Sequence, residues 1–183
     1  MLTTSVIVPT YNRPDDLEAC LRSLLDQTVA PGEVLVIDDG DLPGFPLQEA
    51  FESRGIKTVF HRKDRPGLTA SRNAGIRLCG GEIVFFLDDD VVLLPDYIEQ
   101  HLHIYEDDPE GRVGGVGGGL ANPPPVGLAY RLRYPFDLLF MLKGLREGRV
   151  LPSGFLTEPG ENPFARERVH PIDFIPGGIC SYR

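Results

Sequence analysis

At 183 residues the chain is long enough for one domain with a sizeable core, and its 42% hydrophobic content is that of an ordinary globular protein. A net charge of -9 argues against nonspecific binding to a phosphate backbone, so no nucleic-acid partner is expected. No uncharged apolar stretch of about 20 residues appears, which predicts no membrane span.

Three separated cysteines, Cys20, Cys79 and Cys180, match no zinc or redox spacing. They read as buried small hydrophobes in a reducing, cytoplasmic compartment.

Apolar, β-rich runs then alternate with helical patterns. Residues 5–9 read as a strand. A helix begins near Pro14, with Asn12 in the N-cap region and Leu17, Leu21, Leu24 and Leu25 forming one core-facing stripe. Strands are expected at 33–38 and 56–60, a helix around 69–78, a strand at 83–87 and a helix around 96–106. This βαβ rhythm predicts an α/β fold, a mostly parallel sheet flanked by helices. The glycine run 114–119 reads as a strand and turn. Beyond it periodicity fades, and nine of the 17 prolines follow residue 120. The chain therefore divides into a core over 1–120 and a loop-rich portion over 121–183. Within the latter, 128–145 carries Leu, Phe and Tyr with Arg131, Arg133 and Lys143, and Arg146 follows it. It reads either as an amphipathic patch for a membrane surface or as a segment packed on its own domain, with Pro135 interrupting a long helix.

The strand ends carry the chemistry. Pro9-Thr10-Tyr11-Asn12-Arg13 follows the first strand, Asp38-Asp39-Gly40 the second, and Asp88-Asp89-Asp90 the fourth. In an open α/β sheet, ligands bind beyond the carboxyl ends of the strands. In an extended chain Asp88 and Asp90 share a face with Asp89 opposed, and two converging carboxylates suit a hard divalent ion such as Mn2+ or Mg2+. A solvated acidic turn would give the same three letters.

These motifs resemble the family 2 glycosyltransferases of the GT-A fold. The resemblance rests on Ser5-Val-Ile-Val-Pro-Thr-Tyr-Asn12, Leu35-Val-Ile-Asp-Asp-Gly40, Gly67-Leu-Thr-Ala-Ser-Arg-Asn-Ala-Gly75 and Phe86-Leu-Asp-Asp-Asp90. It implies an inverting, metal-assisted transfer from a nucleoside-diphosphate sugar, with UDP favoured, to a glycan, lipid or protein acceptor. It makes 1–120 the donor-binding core and 121–183 the incomplete start of the acceptor and sugar-pocket region. Pro9 and Tyr11 would lie along the base, Arg13 near the nucleotide, and Asp39 would accept a hydrogen bond from the base. Arg72 would reach the diphosphate. Asp88 and Asp89 would contact the nucleotide sugar, and Asp88 and Asp90 the metal. Residues 172–180 look like the family's next landmark, whose backbone and small residues line the donor-sugar pocket.

The catalytic base is not found. Glu158, Glu161 and Asp173 are acids of the second half, and none stands in the family's context for it. The resemblance thus implies a chain truncated after its donor half, placed in the cytoplasm or at the inner membrane surface. The alternative is a catalytically incomplete remnant that binds donor without transferring it.

Overall fold

The computed structural model describes residues 2–119, 127–140, 148–151, 156–157, 171–173, 175 and 177–183. The described elements are β1 (Thr4–Thr10), α1 (Pro14–Leu25), β2 (Glu33–Asp38), α2 (Gln48–Glu52), β3 (Lys57–Arg62), α3 (Leu68–Leu78), β4 (Ile83–Leu87), α4 (Tyr97–Glu106), β5 (Gly115–Gly117), α5 (Leu128–Leu139), β6 (Arg149–Val150), β7 (Leu156–Thr157) and β8 (Ile179–Tyr182). The chain forms two compact units, one of 1–116 with 177–183 and one of 117–176.

The first unit is built on a six-stranded sheet of order β3-β2-β1-β4-β8-β5. β1 pairs in parallel with β2 and β4, and β2 with β3. Every residue of β1 and β2 is buried. Central strands of a parallel sheet are covered on both faces, which is why their sequences are continuous apolar runs rather than alternating ones. On one face α1 packs Leu17, Cys20, Leu21 and Leu24 into a core with Val6, Val8, Val34 and Val36. Each such side chain contributes about 1.5–3 kcal/mol by leaving water. On the other face lies α3, where a Cβ on Gly75 would stand 2.4 Å from Ile7 Cγ2. Only glycine lets the helix backbone come that near to β1.

Some expectations need correction. Asn12 does not cap α1: it adopts a left-handed conformation (φ 54°), and the cap residue is Arg13, without a side-chain cap bond. The third strand covers Lys57–Arg62, not 56–60, so it reaches two residues further toward the ligand end. β8 lies antiparallel to β4, pairing Phe86 with Cys180, and gives the sheet its mixed character. All three cysteines are free. Cys20 and Cys180 are buried as expected, while Cys79 is half-buried. Burial pushes the Cys20 thiol up to about 12, which leaves it unreactive.

The second unit contains α5 and an antiparallel ribbon of β6 and β7. α5 runs through Pro135 instead of breaking there. The ring removes one backbone donor from the helix interior, at a cost of roughly 3 kcal/mol. Arg133 Nε meets Asp137 Oδ2 at 3.1 Å along the same helix. Leu128, Leu132, Phe136, Leu139 and Phe140 are exposed on α5. The prolines at 123–125, Lys143, Arg146, Glu158 and Glu161 lie outside the described residues. Among the described residues, no helix is long and apolar enough to cross a membrane.

Candidate functional site

Parallel pairing in register aligns the carboxyl ends of β1, β2 and β4, with Thr10 opposite Asp38. Three short turns therefore present their polar residues along one crest of the sheet. The acidic turn after β4 is divided by exposure. Asp89 is buried, with 1% of its side chain exposed, while Asp88 and Asp90 retain 38% and 51%. Asp89 accepts from Thr10 Oγ1 at 2.7 Å and from Arg13 Nη2 at 2.8 Å. Burial pushes its carboxyl upward, and those two partners pull it part of the way back. Arg13 spans the turn, because its Nη1 also meets Asp90 Oδ2 at 2.8 Å.

Asp88 has a different neighbour. Arg72, on the inner side of α3, brings Nη2 to Asp88 Oδ1 at 2.9 Å, and its Nε is buried without a hydrogen-bond partner. The Gly177-Gly178 turn closes on both groups. Asp88 N–H donates to Gly178 O at 2.8 Å, and a Cβ on Gly178, whose φ is 103°, would stand 2.4 Å from Asp88 Oδ2. A Cβ on Gly177 would lie 3.2 Å from Arg72 Nη1. The turn can lie against this ion pair because it carries no side chain there.

At the end of β2 the two acids part company. Asp38 is fully buried and holds its own turn, accepting from Gly40 N at 2.8 Å, Leu42 N at 3.1 Å and Arg62 Nε at 3.1 Å. Asp39 faces the loop before α3. It accepts from Lys63 Nζ at 2.8 Å, Gly67 N at 2.9 Å and Ser71 Oγ at 2.8 Å. Burial works against its charge. The Lys63 ammonium, the Gly67 N–H and the Ser71 hydroxyl outweigh it and hold the carboxyl below the usual range.

The remaining sequence candidates fall at the same crest. Pro9 is buried within β1, in register with Ile37. Tyr11 is 54% exposed just past β1 and is no part of the core. Of the second-half acids, Asp173 pairs with Arg149 at 3.0 Å in the other unit. Lys63 and Ser71 escaped the sequence reading. The available signal was the cation one residue past the third strand, concealed by ending that strand at Phe60. His101 and His103, two residues apart on α4, lie on different faces, one buried and one exposed.

A doubly wound sheet with its acids and arginines gathered on one crest is the architecture of GT-A nucleotide-sugar enzymes, and solved structures bear out the fold. A mannosyltransferase from Pyrobaculum calidifontis, solved with GDP-Man and Mn2+, superimposes with a TM-score of 0.56 over 67% of this chain and 36% of its own, at 26% identity. The family model described as Glycosyl transferase family 2 matches residues 5–162, and the chain belongs to that family. Among curated relatives, an uncharacterized glycosyltransferase of Haemophilus influenzae is 34% identical over 57% of this chain and 35% of its own length. Validoxylamine A glucosyltransferase of Streptomyces hygroscopicus subsp. limoneus is 37% identical over 54% and 22% respectively. The chain thus spans about a third or less of these curated relatives.

Proposed function

We propose that this chain is the donor-binding half of an inverting glycosyltransferase that takes a sugar from a nucleoside diphosphate, UDP by preference, and passes it to a glycan, lipid or protein hydroxyl. The observation that carries the reading is the crest itself. Two exposed carboxylates, Asp88 and Asp90, stand there with two arginines, Arg72 and Arg13, each already paired to one of them. Guanidinium groups suit diphosphate oxygens, and the carboxylates suit a hard cation. Among the described residues no group of three or more His, Cys, Asp or Glu is gathered to hold an ion unaided. Asp88 and Asp90 would hold Mn2+ or Mg2+ jointly with the donor's diphosphate, and the ion would offset charge on the departing diphosphate.

The chain's own residues would do the rest. Arg13 and Arg72 exchange carboxylate for phosphate partners, which orients the diphosphate. Asp89 stays buried and anchors Arg13. Asp39 and Tyr11 receive the base, and the side-chain-free Gly177-Gly178 turn leaves room beside Asp88. In the transfer, the bond from the sugar's anomeric carbon to phosphate breaks as one to the acceptor oxygen forms, and a general base takes the acceptor's proton. That base is not identified among the described residues. The exposed stripe on α5 supports peripheral contact with a membrane surface, which vesicle flotation of the chain would detect.

The test is calorimetric titration of UDP and GDP with and without Mn2+, using the native chain and a variant carrying Asp88→Asn and Asp90→Asn. Metal-dependent binding that the variant loses is expected. No binding by a folded chain would overturn the reading. Binding without any sugar transfer would favour the remnant reading, in which only donor capture survives.

A further inference from the structure

α3 carries Arg72 to the crest, yet nothing in its own sequence secures its first turn. The cap position is Gly67, which has no side chain to offer, and no acidic residue stands in that turn. Asp39 and Lys63 supply the missing groups from the sheet. Asp38 and Arg62 are in register across β2 and β3, and the backbone pairing continues past them. Lys63 N–H donates to Asp38 O at 2.9 Å, and Asp39 N–H to Thr10 O at 2.9 Å. Between them the two side chains hold both backbone groups of Gly67: its N–H donates to Asp39 Oδ2 at 2.9 Å, and its carbonyl accepts from Lys63 Nζ at 3.2 Å. Both also meet the fully buried Ser71, whose Oγ lies 2.7 Å from Lys63 Nζ and 2.8 Å from Asp39 Oδ2. Lys63 Nζ closes the set on Asp39 Oδ1 at 2.8 Å.

Ser71 is the chain neighbour of Arg72. Among the described residues Arg72 makes one ion pair, at 2.9 Å to Asp88 Oδ1, and its buried Nε has no partner, so the place of its head depends on where α3 sets its backbone. α3 is held at two points, the clamp on Gly67 and Ser71 and the close approach of Gly75 to Ile7, and Arg72 lies between them. Resting on the donor-site reading above, we propose that Lys63 is a positioning residue for the diphosphate: with Asp39 it pins the start of α3 and so sets the reach of Arg72. All three of its protons are committed within the clamp, and it acts without touching the ligand. Without the ammonium, Asp39 at 6% exposure is left as a nearly buried charge with no cation, and the Gly67 carbonyl loses a donor. The Gly67 loop relieves this by moving, and the first turns of α3 move with it. A displacement of about 1 Å at a group that clamps a ligand is costly.

The experiment is calorimetric titration, with Mn2+ present, of UDP and of inorganic pyrophosphate, which has no base. The proteins are the native chain, Lys63→Met, Ser71→Ala, Arg72→Gln and the double variant Lys63→Met with Arg72→Gln, each first shown by circular dichroism to be folded. Lys63→Met should weaken UDP and pyrophosphate alike, each at least about tenfold. The double variant should bind at most about twofold more weakly than Arg72→Gln alone, because Lys63 acts through that arginine. Ser71→Ala cuts the same clamp more mildly and should lose about threefold for both ligands, which keeps the test open where Lys63→Met does not fold. Losses that multiply in the double variant would overturn the proposal, since they would give Lys63 an effect independent of Arg72. UDP weakened with pyrophosphate untouched, or native affinities in Lys63→Met and Ser71→Ala, would also overturn it. No binding of either ligand by the folded native chain would take down the donor-site reading itself, and this proposal with it.

Discussion

Acidification should weaken the fold through one side chain in particular, His101. It lies on α4 with 4% exposure, its ring 4.3 Å from that of Tyr97 and 5.4 Å from that of Phe85 between centroids. Its Nδ1 shares a 2.7 Å hydrogen bond with Ser181 Oγ, which the Tyr105 hydroxyl also meets at 2.9 Å. Burial pulls the imidazole down to about 4, so the folded protein holds it neutral. Because the folded value lies below the unfolded one, the unfolded chain takes up the proton first. The stabilisation is complete above the unfolded value near 6.5 and is lost as pH falls toward 4. A gap of roughly 2.5 units at about 1.36 kcal/mol each gives about 3 kcal/mol, or a fall of about 6–12 °C in Tm at this chain length. Asp39 and Glu33, whose carboxyls the fold holds low, also lose stabilisation on acidification, and that background is shared by a His101→Phe variant. Thermal melts of both proteins from neutral pH to pH 4 isolate the histidine. The variant should start less stable and show a pH dependence shallower by about 3 kcal/mol. Parallel curves would refute the reasoning.

Within the acidic turn, Asp89→Ala should cost about 1–3 kcal/mol in urea unfolding, because it leaves the buried Thr10 hydroxyl without its acceptor and takes from Arg13 one of its two carboxylates, whereas Asp88→Asn and Asp90→Asn should each stay within about 1 kcal/mol of native stability. Their effect should instead be loss of Mn2+-dependent nucleotide binding by calorimetry, and equal stability losses at all three positions would contradict the division by exposure. Gly178→Ala should cost about 1–3 kcal/mol, through its positive φ and the Asp88 carboxylate it would displace, and should weaken Mn2+-dependent UDP binding. A variant that melts and binds like the native chain would show that the turn can move aside.

The parts legible in the sequence share a physical cause. β1, β2 and β4 are buried central strands, so their apolar runs are unmistakable, and the leucine stripe of α1 follows from its single buried face. The placement of Asp39 and the three acids along one edge could be read as soon as the strand ends were fixed, because parallel pairing sends those ends the same way, whereas Arg72, on α3, is indicated only by the family resemblance. α2 escaped notice because a five-residue helix entered through a left-handed Leu47 has no periodicity to display. The extent of β3 was obscured because most of that edge strand is only half-buried and ends in polar residues, which also hid Lys63. β8 is four residues of mixed polarity, and its place beside β4 comes from pairing partners far away in sequence. Which arginine meets which aspartate is set by side-chain reach across turns, and no spacing rule encodes that.

That distant pairing carries a consequence for how the protein is made. Phe86 and Cys180 are on the order of 90 residues apart, a loop whose closure entropy must be overcome before the strand contacts repay it. The β1, β2 and β4 lattice can form early from nearer contacts, but Asp88 gains the Gly178 carbonyl, and Arg72 its glycine wall, only when β8 docks. On the ribosome, the crest would wait with its acids uncovered until that strand emerges. The acidic crest would thus be among the last parts of the first unit to acquire its final shape.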